Sequence, residues 1–175
     1  MGNKQGFIVL LALLLMAFGI PKHIKKKVEK EIKDTFEVDQ FNVTSLSIPS
    51  EIAQDLPATF GADNLFKIED NEKVLGYAYT AKAPSKTAEF DYLVLLDKDW
   101  IVLKAKVLIY REEYGGEIGS KRWLKQFIGK SQNDELTYGD NIVAIAGATI
   151  SVRSMTTAMN NFLQSLKILH TKNVL

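Results

Sequence analysis

The sequence predicts an α+β fold: an antiparallel sheet with helices packed on one side, preceded by an N-terminal membrane anchor or signal segment. Three observations predict it. Phe90–Leu96 and Trp100–Tyr110 are rich in aromatic and aliphatic residues and flank the turn Asp97-Lys98-Asp99, which reads as a β-hairpin. In the returning strand Ile101, Leu103, Ala105, Val107 and Ile109 alternate with Val102, Lys104, Lys106 and Leu108, a period of two with one face buried. From Ser151 onward Val152, Met155, Met159, Phe162, Leu166 and Leu169 follow helical spacing, giving an amphipathic helix whose apolar face packs on the sheet. Strands, hairpin, helix, strand and helix in that order place helices against an antiparallel sheet.

The elements follow in order. Gly6–Ile20 is an uninterrupted apolar run after Lys4. It is the length of a signal-peptide core or a short anchor, and shorter than the roughly 20 residues of a full span. Ala17-Phe18-Gly19 fits a small-x-small cleavage site. Lys22, Lys25, Lys26, Lys27, Lys30 and Lys33 follow, interleaved with Ile24, Val28, Ile32 and Phe36 at four-residue spacing. That is a basic helix with a narrow apolar stripe. It is either a juxtamembrane helix on anionic headgroups or a solvated spacer with internal Lys–Glu pairs. Asn42-Val43-Thr44 matches a glycosylation sequon too common to weigh. Phe41–Gly61 is polar and broken by Pro49 and Pro57, with Ser50 placed to cap a short helix over Glu51–Leu56. Leu65–Ile68 and Val74–Ala81 read as strands around the turn Asp70-Asn71-Glu72-Lys73, and Gly76 permits close approach of backbone or ligand. Ser120 opens a helix reaching about Phe127. Ser131–Asp140 is loop-like, and Ile142–Ile145 reads as a buried strand. The organisation is thus residues 1–22 signal or anchor, 23–60 basic helix and linker, and 61–172 the folded domain.

Composition narrows the chemistry. With 175 residues the chain holds one domain with a real core plus an appendage. A net charge of +1 provides no global field for nucleic acid, and no nucleic-acid partner is expected. No cysteine is present, which excludes disulfides, iron–sulfur clusters and cysteine-ligated zinc. His23 and His170 lie near opposite ends, so no histidine-based metal site and no Ser-His-Asp arrangement is expected. Redox chemistry here requires an organic cofactor.

Ala146-Gly147-Ala148-Thr149-Ile150-Ser151 places a small-residue turn and two hydroxyls at a helix N-terminus. Unpaired backbone N–H groups and the helix dipole there favour a phosphate. Thr149 is a phosphate-contacting or phosphate-attachment residue on that reading. The plainer reading makes Ser151 an N-cap and the small residues a tight turn. Arg153, one turn on, is placed either to bond a phosphate or to sit exposed on the helix. Glu113-Tyr114-Gly115-Gly116-Glu117 is a second glycine-rich loop, able to bring backbone donors near a flat ring or simply to make a turn. Tyr114 and Trp123 are aromatic residues for stacking or for the core.

Ile145-Ala146-Gly147-Ala148-Thr149-Ile150-Ser151 resembles the flavin-attachment signature of the FMN-binding domain family, which includes the peripheral flavoprotein subunits of the sodium-pumping NADH:quinone reductase and of the Rnf complex. The loop Tyr110–Gly119 is similar to the family's Glu-then-glycine loop, with Glu113 aligning best with its glutamate. Trp123–Lys130 is similar to its aromatic-x-x-Gln-Phe-x-Gly-Lys ending. The resemblance covers about the last two thirds of the chain.

It implies FMN joined through its phosphate to Thr149, by a separate flavin transferase that draws on FAD. Gly147, Ala148, Ile150, Ser151, Arg153, Glu113, Gly115 and Gly116 would line the site. It implies an electron carrier rather than an independent enzyme, partnered by a redox protein or membrane reductase and bound to the membrane through the N-terminal segment. Two positions depart from the family's Asp-x-x-Ser-Gly-Ala-Thr pattern: Val143 stands where it has Asp, and Ala146 where it has Ser or Thr. The alternatives are therefore a noncovalent FMN or small-ligand domain, and a flavin-free structural or interaction module. The lysine cluster argues by the positive-inside rule for a cytoplasmic C-terminal part. The family resemblance implies the extracytoplasmic side, and the expectation adopted is export with a retained anchor.

Overall fold

A computed structural model describes residues 20–61 and 63–175. The apolar run from Gly6 and the cleavage site at Ala17-Phe18-Gly19 lie outside the described residues, apart from Ile20, which is buried. Among the described residues no helix is long and apolar enough to cross a membrane.

Five strands form one antiparallel sheet in sequential order. They are β1 (Asn42–Ser45), β2 (Leu65–Asp70), β3 (Lys73–Pro84), β4 (Glu89–Asp97) and β5 (Val102–Ile109). Short connections suit antiparallel neighbours, because only a tight turn is needed to reverse the chain. Strand β4, between β3 and β5, is buried from Phe90 through Leu96, so it has core on both faces. The predicted hairpin is β4–β5, with its turn closed by Asp97: the carboxylate accepts from the Asp99 and Ile101 N–H groups, each at 2.9 Å. Trp100 sits in that turn at φ 63°, and β5 begins at Val102. Register shifts at Asp91/Tyr92 and Leu95/Leu96 break the strict alternation predicted for β5.

The two faces are covered by different helices. On one lies α4 (Thr149–Thr171), with Val152, Met155, Met159, Phe162, Leu166 and Leu169 all fully buried. Its Phe162 ring stacks on Tyr79 of β3 at 4.3 Å between centroids. The short helix α3 (Lys121–Leu124) shares this layer through Trp123 and Leu124, and Ser120 caps it by accepting from the Trp123 N–H. On the opposite face lies α1 (Lys25–Phe36), whose Val28 and Ile32 are buried against Phe66, Ile68, Leu93 and Leu95. Helices therefore cover both sides of the sheet, not one. The apolar stripe of the basic helix supplies the second core, so it is not available to insert among headgroups. Gly76 makes the predicted close approach: a Cβ there would lie 2.1 Å from the Leu96 carbonyl oxygen and 2.9 Å from the Phe36 ring.

Three local expectations change. Phe41–Gly61 contributes the edge strand β1, paired to β2 from Asn42↔Glu69 to Ser45↔Phe66. The short helix there, α2 (Ser50–Ala53), has Pro49 rather than Ser50 at its cap position. Ile142–Ile145 is not a strand; Ile142 is buried and makes an isolated bridge to Tyr138, while Val143 is 65% exposed.

Candidate functional site

Both helices begin at the same end of the sheet. His23, just ahead of α1, is 3.2 Å from Asp91 near the start of β4, and Lys27 donates to the Leu108 carbonyl near the end of β5. Tyr110, just past β5, meets Ser151 in the first turn of α4 at 2.9 Å between hydroxyl oxygens. The glycine-rich loop and the Gly-Ala-Thr turn thus converge at one place, though they lie far apart in the chain.

The turn is held by side chains outside it. The Trp123 indole N–H donates to the Val143 carbonyl at 2.8 Å, and the Val143 N–H donates to the Gln126 side-chain oxygen at 2.7 Å. The Val143 backbone is thus satisfied by side chains, while Ile142 bonds to the backbone of Thr137 and Gly139 in its own loop, so the apolar tetrapeptide joins no sheet. The two Val143 bonds also use Trp123, which is buried with its ring edge-on to Phe127, as a structural clamp rather than a stacking surface.

Helix α4 starts at Thr149, two residues earlier than Ser151. Ala148, buried, occupies the cap position, and no side chain caps the helix. The Val152 N–H bonds to the Ala148 carbonyl at 2.9 Å, and the N–H groups of Thr149, Ile150 and Ser151 precede that first turn of bonds. Ser151 is therefore not the N-cap. It is a buried residue of the first turn, bonded to Tyr110. The first turn carries no acidic side chain to complement its dipole. Thr149 is exposed on that turn.

A cleft of about 280 Å³ lies beside it, lined by Lys86, Glu112, Gly115, Thr149 and Ile150, with Tyr110 at its base. Gly147 and Ser151 also line it. Gly115 adopts φ 85°, and a Cβ there would come within 2.6 Å of the Tyr110 hydroxyl, so the Tyr110–Ser151 contact requires glycine at this position. The same hydroxyl donates to the Tyr114 carbonyl at 2.9 Å. Tyr114 (78% exposed) and Ile150 (51% exposed) form an apolar rim.

The other predicted residues are less central. Gly116 opens a 3-10 turn next to the cleft. Glu113 points to solvent, and it is Glu112 that reaches the cleft. Arg153 is exposed over the Tyr138 ring at 4.4 Å and lines a separate cavity of about 700 Å³ with Lys82 and Glu89.

Sequence reasoning missed Glu112 and Lys86. The Glu112 carboxylate accepts from the Ser85 hydroxyl and the Thr87 N–H, both at 2.6 Å, and from the Ala88 N–H at 3.1 Å. These bonds, the Ser85 hydroxyl foremost, hold its carboxyl below the usual glutamate range. The anchored turn carries exposed Lys86 to the cleft beside Thr149. No spacing signal in the sequence links Lys86 to a motif more than 60 residues later; only the β3–β4 turn brings it there.

The chemistry of this donor set suits a phosphate ester. An uncapped helix start, a lysine and an exposed hydroxyl meet in one cleft, with open space around Gly147, where an added Cβ would have nothing within 4 Å. No curated protein matches the chain significantly. The fold is similar to that in the crystal structure of Shewanella oneidensis NqrC, with a TM-score of 0.56 and 16% sequence identity over 83% of this chain and 99% of that one. Residues 86–164 match the family model of the FMN-binding domain, a span running from Lys86 past the glycine loop and Thr149 into α4. Over those residues the chain is similar to the FMN-binding domain family.

Proposed function

We propose that this protein is an electron carrier with FMN joined through its phosphate to the Thr149 hydroxyl. The observation that carries the reading is the exposed Thr149 at an uncapped start of a 23-residue helix, inside a cleft shared with the glycine loop. The phosphate would take the N–H groups of the first turn, with a dipole contribution of about 0.3–1 kcal/mol, and the Lys86 ammonium. At about 280 Å³ the cleft is at the lower edge of ligand sites, which run from roughly 300 Å³. A flavin there is held at its phosphate end and covered along one edge by Tyr114 and Ile150, leaving the rest of the ring open to a redox partner. Flavin supplies reversible electron transfer. The chain contributes attachment, orientation and an apolar rim, and needs a partner protein or membrane reductase to deliver and accept electrons.

The reading extends to maturation and place. A flavin transferase makes the ester, and the apolar run Gly6–Ile20 holds the domain at the membrane on its extracytoplasmic side. Protease treatment of spheroplasts checks the side: the domain is expected to be digested without lysis. Protection until lysis would leave the domain with the lysines on the cytoplasmic side.

Intact mass after co-expression with a flavin transferase tests the attachment. A gain of one dehydrated FMN, lost in Thr149→Ala and kept in Ser151→Ala, is the expected result. Yellow protein that loses its colour on denaturation and filtration replaces it with noncovalent binding, the reading favoured by Val143 and Ala146 in place of Asp and Ser. Colourless protein at apo mass, beside a control the transferase does modify, leaves only a flavin-free module.

A further inference from the structure

The described chain begins at the cleft end of the fold, and the charges of the molecule are sorted along the same axis. His23 and Arg111 both engage the buried Asp91 carboxylate, and Arg111 also donates to the Glu89 carbonyl at 2.8 Å. Ile20 and Ile24 are buried next to this tie. Residues 20–24 are therefore pinned to the sheet through Asp91, whose other partner, Arg111, lies between Tyr110 and Glu112 of the cleft. Ile20 is the last residue of the apolar run, and it lies at this point.

Around it Lys22, Lys26 and Lys86 are exposed with no ion-pair partner among the described residues. The acids there are largely committed: Asp91 to His23 and Arg111, Glu89 to Lys82 at 3.8 Å, and Glu112 to the β3–β4 turn. Glu113 and Glu117 are the exposed exceptions. At the other end the turns carry Asp70 and Glu72, then Asp97 and Asp99, against Lys73 and Lys98. Exposed Tyr114 and Ile150 lie at the basic end. Tyrosine and aliphatic side chains beside lysines are the composition that settles at a headgroup layer.

The geometry points to the cleft end of the sheet as the face that lies against an anionic lipid surface, with Lys22, Lys26 and Lys86 as its charges and the His23–Asp91–Arg111 tie setting the tilt. The acidic turns at the far end point away. The proposal rests on the anchor reading but not on the flavin. It means that whatever occupies the Thr149 cleft stands at the membrane surface.

The absence of cysteine allows a clean test. The full chain is reconstituted into vesicles of phosphatidylcholine with phosphatidylglycerol carrying an acceptor dye on the headgroup. A donor dye is placed by Tyr114→Cys in one sample and Lys98→Cys in another. The two sites are separated by about the length of α4, roughly 35 Å at 1.5 Å per residue. Energy transfer several-fold stronger from Tyr114→Cys is expected. The ratio should fall in high salt, which screens headgroup attraction, and in the triple variant Lys22→Glu, Lys26→Glu, Lys86→Glu. Equal transfer from both sites, or stronger transfer from Lys98→Cys, overturns the proposal. Flotation of the same samples separates the two readings. A chain that floats with equal transfer loses the orientation alone, and one that does not float loses the anchor and the orientation together.

Discussion

Thr149 and Ser151 stand two residues apart on the same turn, yet they face opposite environments. Thr149 is exposed to the cleft, and Ser151 is buried with its hydroxyl on Tyr110. Ser151→Ala should therefore cost about 0.5–1.5 kcal/mol, the net value of one hydrogen bond, and not through loss of a cap. Urea denaturation checks the size. Tyr110→Phe in the same background checks the origin, because the two losses should be less than additive if they share one bond. Val143 and Ala146, where the family pattern has Asp and Ser, are both exposed, and the Val143 backbone is held by Trp123 and Gln126. Val143→Asp with Ala146→Ser should leave stability within about 0.5 kcal/mol, as for other surface changes, while raising the fraction of chain that gains FMN. An unchanged fraction by intact mass would show that the transferase does not read these side chains.

Helix α1 is the element whose role differs most from its sequence pattern. Its lysines are exposed as the pattern implies, but Val28 and Ile32 close a second core that the sheet would otherwise leave open. Ile32→Ala should cost about 2–5 kcal/mol by opening a cavity, whereas Lys30→Ala on the exposed face should be nearly neutral. Equal small effects in chemical denaturation would make α1 a loosely attached spacer. The four-residue spacing in the sequence revealed this helix, but spacing cannot say what a stripe faces. The β4–β5 hairpin and α4 were legible because each repeats one period over many residues. β1 was not, because it has only four residues at a sheet edge, with no residue fully buried. The start of α4 is hidden in the sequence for a related reason: its cap position is filled by Ala148, which bonds through backbone alone and so leaves no polar signature. Motif alignment points to Glu113, but it cannot resolve which of two adjacent carboxylates turns toward the β3–β4 turn, and in the fold that is Glu112. That depends on the β3–β4 turn, which only the fold brings alongside.

At the scale of the whole molecule, buried and bonded carboxylates tie its parts together. Asp91 joins the start of α1 to the start of β4 and to Arg111 after β5, while Glu31 joins α1 to Lys104 and Lys106 of β5. Burial raises the carboxyl of Asp91, but the His23 and Arg111 bonds outweigh it and hold the group below the usual aspartate range. Burial likewise acts upward on Glu31, and Lys104 and Lys106 together draw it below the ordinary value. A carboxylate lowered in the folded state adds stability that is fully present above its unfolded pKa, about 3.9 for Asp and 4.3 for Glu. That stability is lost as the pH falls through the folded value. The urea midpoint should therefore be steady as far as these acids govern it between about pH 7 and pH 5, then fall below about pH 4. Asp91→Asn should lower neutral stability by about 1.5–3 kcal/mol, the range for bonds to a charged group, and should flatten the acid limb. If the acid limb keeps its full slope in Asp91→Asn, the Asp91 tie contributes nothing to acid unfolding. The same variant carries a positional consequence, since Asp91 fixes where residues 20–24 leave the sheet. With the tie gone, a chain that still folds should lose part of the difference in lipid proximity between its two ends.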